Sequence, residues 1–71
     1  MNTTRTEIEA AATARAVEMI DTKGRRHLVA RIPDATGDLN WCSRKYIASR
    51  EAFSKSWLQV DIAGWSLASM A

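Results

Sequence analysis

The sequence predicts an α+β domain: one N-terminal helix packed on a small antiparallel sheet of about three strands, with all 71 residues in a single domain. Three observations point there. Residues 3–21 space their apolar side chains at helical intervals. Three later stretches alternate apolar with polar residues. The segments between them, "DTKG" and "PDATGD", are turn chemistry.

The helix comes first. Thr4 with Glu7 three residues on fits a capping box, although Thr3 and Thr6 compete for the cap. Ile8, Ala12, Ala16, Met19 and Ile20 then fall on one stripe with Ala11 beside them, and the alanines raise helix propensity. A rival reading draws Ala14–Ile20 as a strand, with "DTKG" turning it into the next segment. Alanine and glutamate are poor strand residues, so the helix is preferred.

Next, "RRHLVARIP" places Leu28, Ala30 and Ile32 on one face, read as inward, and His27, Val29 and Arg31 on the other. Pro33 ends the strand because it has no ladder donor. In "LNWCSRKYI", Leu39, Trp41 and Ser43 share a face, opposite Asn40, Cys42 and Arg44. The short link between the two strands predicts an antiparallel hairpin. Ser49 either caps one helical turn, with Phe53 packing inward, or sits in a plain loop. "WLQVDI" alternates with Leu58, Val60 and Ile62 inward and Trp57 outward. After the break at Ala63-Gly64, "WSLASMA" forms a terminal turn that lays Trp65 and Leu67 on the core. There is no internal repeat, linker or low-complexity tract.

Composition narrows the function classes. One cysteine makes no internal disulfide, and one His with one Cys falls short of a closed zinc site. A core this small needs large aromatic side chains or self-association, so a homodimer is one expectation. No apolar run is long enough to span a membrane, and "MNTTRTEIE" lacks the apolar centre of a signal peptide. With a lone thiol, this predicts a cytoplasmic location in the host cell. The charge is uneven: net −2 over residues 1–22, +5 over 23–55 and −1 over 56–71. Such a cationic middle bears on partners rather than on fold.

Catalysis finds little support. Cys42 and His27 both sit on the outward register of the expected hairpin, which makes a dyad geometrically conceivable. No catalytic signature or glycine-rich oxyanion loop accompanies them, and the carboxylates are too scattered for paired acid–base work. No phosphate-binding glycine motif is present. The chain is therefore expected to be non-enzymatic, with no catalytic residues, cofactor or metal.

Two binding signals remain. Arg25, Arg26, Arg31, Arg44, Lys45 and Arg50 could contact phosphates, with Trp41, Tyr46 or Trp57 stacking on unpaired bases. No helix-turn-helix, RRM, KH or zinc-finger signature supports a nucleic-acid module, and the helix is acidic at its start. Exposed Trp beside Arg instead suits the energetic centre of a protein interface. Trp41 and Trp65 are assigned to the core, and Trp57 is divided between core and docking. Arg25, Arg26, Arg31, Arg44, Lys45, Arg50 and Trp57 are the expected partner-binding residues.

"NWCSRKYI" with "LQVDIAGWSLA" resembles a W-x-P-K-S-x-I … I-x-I-x-x-W-L-A pattern of small phage and plasmid proteins. Trp41, Ile47 and Trp65 match, and Ala68 falls one place late. The resemblance implies a more strand-like N-terminal segment. In general character the chain is similar to anti-CRISPR proteins of phages and mobile elements, which are small, cytoplasmic and non-enzymatic. That similarity implies an inhibitor that docks on a protein complex, a CRISPR-Cas effector. The alternative is a nucleic-acid-binding accessory protein.

Overall fold

The computed structural model describes residues 5–68. The expected capping residues Thr3 and Thr4 lie outside that range, as do the last three residues of the expected terminal turn. Helix α1 (Arg5–Ala14) is followed by strands β1 (Val17–Ile20), β2 (Arg26–Pro33) and β3 (Leu39–Ile47). A 3-10 turn (Ala48–Arg50) leads to β4 (Ala52–Phe53), β5 (Leu58–Gln59) and β6 (Ser66–Leu67). The strands form one six-stranded antiparallel sheet in the order β4-β3-β2-β1-β6, with β5 also on β3.

The expected helix on about three strands is therefore corrected to a sheet-rich fold. The helix stops at Ala14, and the apolar residues that continue its stripe, Met19 and Ile20, belong to β1. Pairing decides this: Val17, Glu18, Met19 and Ile20 stand opposite Val29, Leu28, His27 and Arg26, tying the segment to the longest hairpin in the chain. Ladder hydrogen bonds and burial of Met19 outweigh the weak helix preference of a Val-Glu-Met-Ile run. Strands β4, β5 and β6 have two residues each, too short for an alternating pattern to show.

The hairpin loops share one construction. In residues 21–25, the Asp21 amide donates to Arg25 O (2.9 Å) and the Gly24 amide to Asp21 O (3.0 Å). Asp21 Oδ1 accepts from the Lys23 and Arg25 amides, both at 2.9 Å. Residues 34–38 repeat it: Asp34 N donates to Asp38 O, Gly37 N to Asp34 O, and the Thr36 and Asp38 amides to Asp34 Oδ1. A carboxylate that gathers backbone donors is the reason for aspartate, and glycine supplies φ +81° and +89° at the fourth position. A third Asp-x-x-Gly, at 61–64, again seats an amide (Ala63) on its aspartate. The chain thus does contain a short repeat, contrary to the expectation.

The core lies on one face of the sheet. Ile8, Met19, Val29 and Ile62 form it, with Val17, Trp41, Val60, Trp65 and Leu67 packed around. Helix α1 covers this face through Ile8 and Ala12, and the 60–65 segment covers it through Val60, Ile62 and Trp65. Val29 and Met19 are fully enclosed. This reverses the expected orientation of β2: His27, Val29 and Arg31 point to the covered side, and Leu28, Ala30 and Ile32 to the other. The cause is the ladder register, in which Val29 stands opposite Ser43 and Arg31 opposite Trp41, the inward residues of β3. Leu58, expected inward, is 61% exposed because β5 sits at the sheet margin. No helix among the described residues is long and apolar enough to cross a membrane.

Candidate functional site

The face of the sheet turned away from α1 carries the candidate site. Strand alternation and register place Arg26, Leu28, Ala30 and Ile32 of β2 there beside Asn40, Cys42, Arg44 and Tyr46 of β3. Glu18 and Ile20 of β1 flank them on one side, and Phe53 and Gln59 on the other. Leu28, Ala30, Ile32 and Cys42 are half-buried among these neighbours. Both covering elements, α1 and the 60–65 segment, lie on the opposite face.

Two arginines on this face are stacked on aromatic rings. The Arg26 guanidinium lies 4.1 Å from the Tyr46 ring centroid and 5.9 Å from that of Phe53. Tyr46 and Phe53 meet edge to face at 5.4 Å. Arg26 also forms a two-bond pair with Glu18, Nε and Nη2 each 3.1 Å from a carboxylate oxygen, which raises its pKa. Arg44 lies 5.5 Å from the Trp57 ring centroid, and its Nε donates to the Ser54 carbonyl oxygen. Guanidinium and indole each hold the other in place, and the Arg44 Nη groups stay available for a partner.

The remaining expected contacts separate into two groups. Arg31 faces the core side. Its Nη1 donates to Thr13 Oγ1 (3.1 Å), approaches Glu9 Oε1 (3.9 Å), and its guanidinium lies 5.6 Å from the Trp41 ring centroid. Through these contacts Arg31 fastens α1 to the sheet. Arg25, Lys45 and Arg50 are exposed at the end of the sheet that bears the 21–25 loop, where Lys45 stands opposite His27.

The His27–Cys42 pairing does not occur. His27 is 5% exposed on the core side, whereas Cys42 pairs with Ala30 and faces the other way. His27 instead approaches Asp21, Nε2 to Oδ2 at 2.8 Å, and stacks on Trp65 with centroids 4.4 Å apart. Asp21 is held at a pKa of about 2, first by the Arg25 amide and then by His27. Its carboxylate can therefore only accept, so His27 Nε2 is the donor, and the buried Nδ1 has no partner among the described residues. Val29, expected on the outer face of the hairpin, is enclosed, and Ser49 does not cap the 3-10 turn, whose preceding residue Ile47 makes no side-chain cap bond. Phe53 packs against Tyr46 on the open face rather than inward.

Sequence reasoning missed Tyr46 and Phe53 as supports for Arg26, and Ser54 as the acceptor for Arg44. The signal for the first was present: Arg26, Tyr46 and Phe53 fall on one face once the β2–β3 register is known. Among the described residues, no group of three or more His, Cys, Asp or Glu side chains is placed to hold a metal ion. No protein-family model, curated protein or solved structure matches this chain.

Proposed function

We propose that this chain is a non-enzymatic binding protein that covers a partner protein with the open face of its sheet. One observation carries the reading: Arg26 and Arg44 are pre-stacked on Tyr46 and Trp57 around the half-buried apolar strip of Leu28, Ala30, Ile32 and Cys42. Trp, Tyr and Arg are the residues that dominate binding energy at protein interfaces, and stacking lowers the entropy lost when the arginines are fixed. Charge complementarity selects an acidic partner surface, whose carboxylates the Arg44 Nη groups would engage in a paired, planar geometry.

Recognition of unpaired bases by stacking is less well supported. Each tryptophan already has a planar or cationic neighbour at its ring: Arg5 and Arg31 for Trp41, Arg44 for Trp57, His27 for Trp65. A base stacking there would have only the face that neighbour leaves.

The similarity of type to anti-CRISPR inhibitors makes a CRISPR-Cas effector complex the first partner to test. Purified effector complexes are incubated with the tagged chain, and interference is scored by phage plating. The expected result is a stable complex and lost interference, both abolished by Arg44→Glu or Trp57→Ala. Failure to retain any effector complex, together with intact interference, removes the Cas version. Sedimentation showing that the open face is instead closed by a second copy removes the partner reading altogether.

A further inference from the structure

We propose that the loop end of the sheet is a separate binding surface for the phosphate backbone of a nucleic-acid duplex, read without regard to sequence. It goes beyond the docking reading, using different residues and a different class of partner.

The β2–β3 register brings the cations together. Residues 23 and 25 lie in the β1–β2 loop, Lys45 stands across the ladder from His27, and Arg50 ends the 3-10 turn that follows β3. These segments all sit at one end of the strands. The side chains of Lys23, Arg25, Lys45 and Arg50 are exposed and have no hydrogen-bond or ion-pair partner among the described residues. Of the acids at this end, Glu18 is committed to Arg26 and Asp21 to His27, and exposed Glu51 beside Arg50 leaves the cations in excess, four against one. The tip of the β2–β3 hairpin, at the far end, carries Asp34 and Asp38, so the sheet is electrically polarised along its strands.

Such an arrangement suits phosphates better than a protein. A packed protein interface wants desolvated apolar or aromatic anchors and is depleted in lysine. Here four exposed cations are spread over three segments, and such point charges suit the repeating charges of a phosphate backbone. A duplex, with its higher charge density, is the expected ligand.

The test is fluorescence anisotropy with a labelled random-sequence DNA duplex from 50 to 200 mM salt. Four phosphate contacts give a log–log salt slope of about −3.6, a loss of roughly 150-fold in affinity over that range. The double variants Lys23→Glu/Arg25→Glu and Lys45→Glu/Arg50→Glu should each weaken binding by about tenfold or more at 50 mM salt, with unchanged circular dichroism and melting temperature. Arg44→Ala and Trp57→Ala should leave it unchanged. Absence of duplex binding at 50 mM salt overturns the proposal. So does tighter binding to a single strand, loss of binding in the open-face variants only, or displacement by polyglutamate as effective as by DNA, which would assign this end to an acidic protein. Since Cas capture and phage plating respond to Arg44 and Trp57, failure here leaves the docking reading standing.

Discussion

Gly64→Ala offers the most direct test of how the fold is closed. Gly64 has φ +82°, and a Cβ there would sit 2.9 Å from Thr22 Cγ2. Two penalties follow. The left-handed backbone costs an alanine about 1–2 kcal/mol. The methyl contact adds roughly another 1 kcal/mol, because the Thr22 side chain or the loops that bring it to Gly64 must then shift. Gly24→Ala and Gly37→Ala serve as internal controls, having φ +81° and +89° with nothing within 4 Å of the new methyl. The expected order in urea unfolding, followed by tryptophan fluorescence, is Gly64→Ala clearly below two nearly equal controls. With a slope of about 1 kcal/mol/M for so small a chain, the extra loss is a midpoint shift of roughly 1 M. Thr22→Ser removes the opposing methyl and should recover that extra loss in the Gly64→Ala background while changing little alone. If Gly64→Ala unfolds together with the controls, or if Thr22→Ser gives no coupling, the close approach of the two loops is wrong.

Other outcomes follow from the same geometry. Val29→Ala should cost about 2 kcal/mol in chemical denaturation, since Val29 is fully buried, whereas Leu58→Ala at the exposed margin should stay within about 0.5 kcal/mol. Arg31→Ala should cost roughly 1–2 kcal/mol and reduce helical circular dichroism by loosening α1, while Lys45→Ala and Arg50→Ala should leave the melting temperature nearly unchanged. Asp21 and Asp34 both have pKa values lowered to about 2, Asp34 chiefly by the Thr36 hydroxyl and Asn40. A depressed carboxylate stabilises the fold above its unfolded value near 4 and loses that contribution as pH falls toward 2. Thermal stability should therefore decline over this window, and the decline should be shallower in Asp34→Asn, as read by calorimetry across pH.

The inward set of β3 was legible because Leu39 and Trp41 mark one side of the strand, opposite Asn40 and Arg44. That of β2 was not, because its more apolar face is the one left uncovered. Leu28, Ala30 and Ile32 outrank His27, Val29 and Arg31 on hydrophobicity, yet cross-strand register and the placement of α1 make the second set the buried one. The N-terminal segment divides between the two readings it supports, a helix through Ala14 and a strand from Val17, since local propensity is silent on which part a distant hairpin will capture. The candidate site shows the same limit. Arg26, Arg31 and Arg44 are chemically alike in the sequence, but ladder parity sends Arg31 under the helix and the other two onto the open face. The Asp-x-x-Gly repeat was fully visible in the residues and would have identified both hairpin loops as one design.

The rims of this sheet have a further consequence. The outer side of the nine-residue β3 is met by two two-residue strands, β4 and β5, and the outer side of β1 by the two-residue β6. Among the described residues neither margin is a long strand, and Arg44 occupies the Ser54 carbonyl in the stretch between β4 and β5. Long bare strand margins are the usual seeds of edge-to-edge polymerisation. Such short, interrupted borders disfavour growth into fibres and leave the broad surfaces, rather than the margins, to choose what the chain meets.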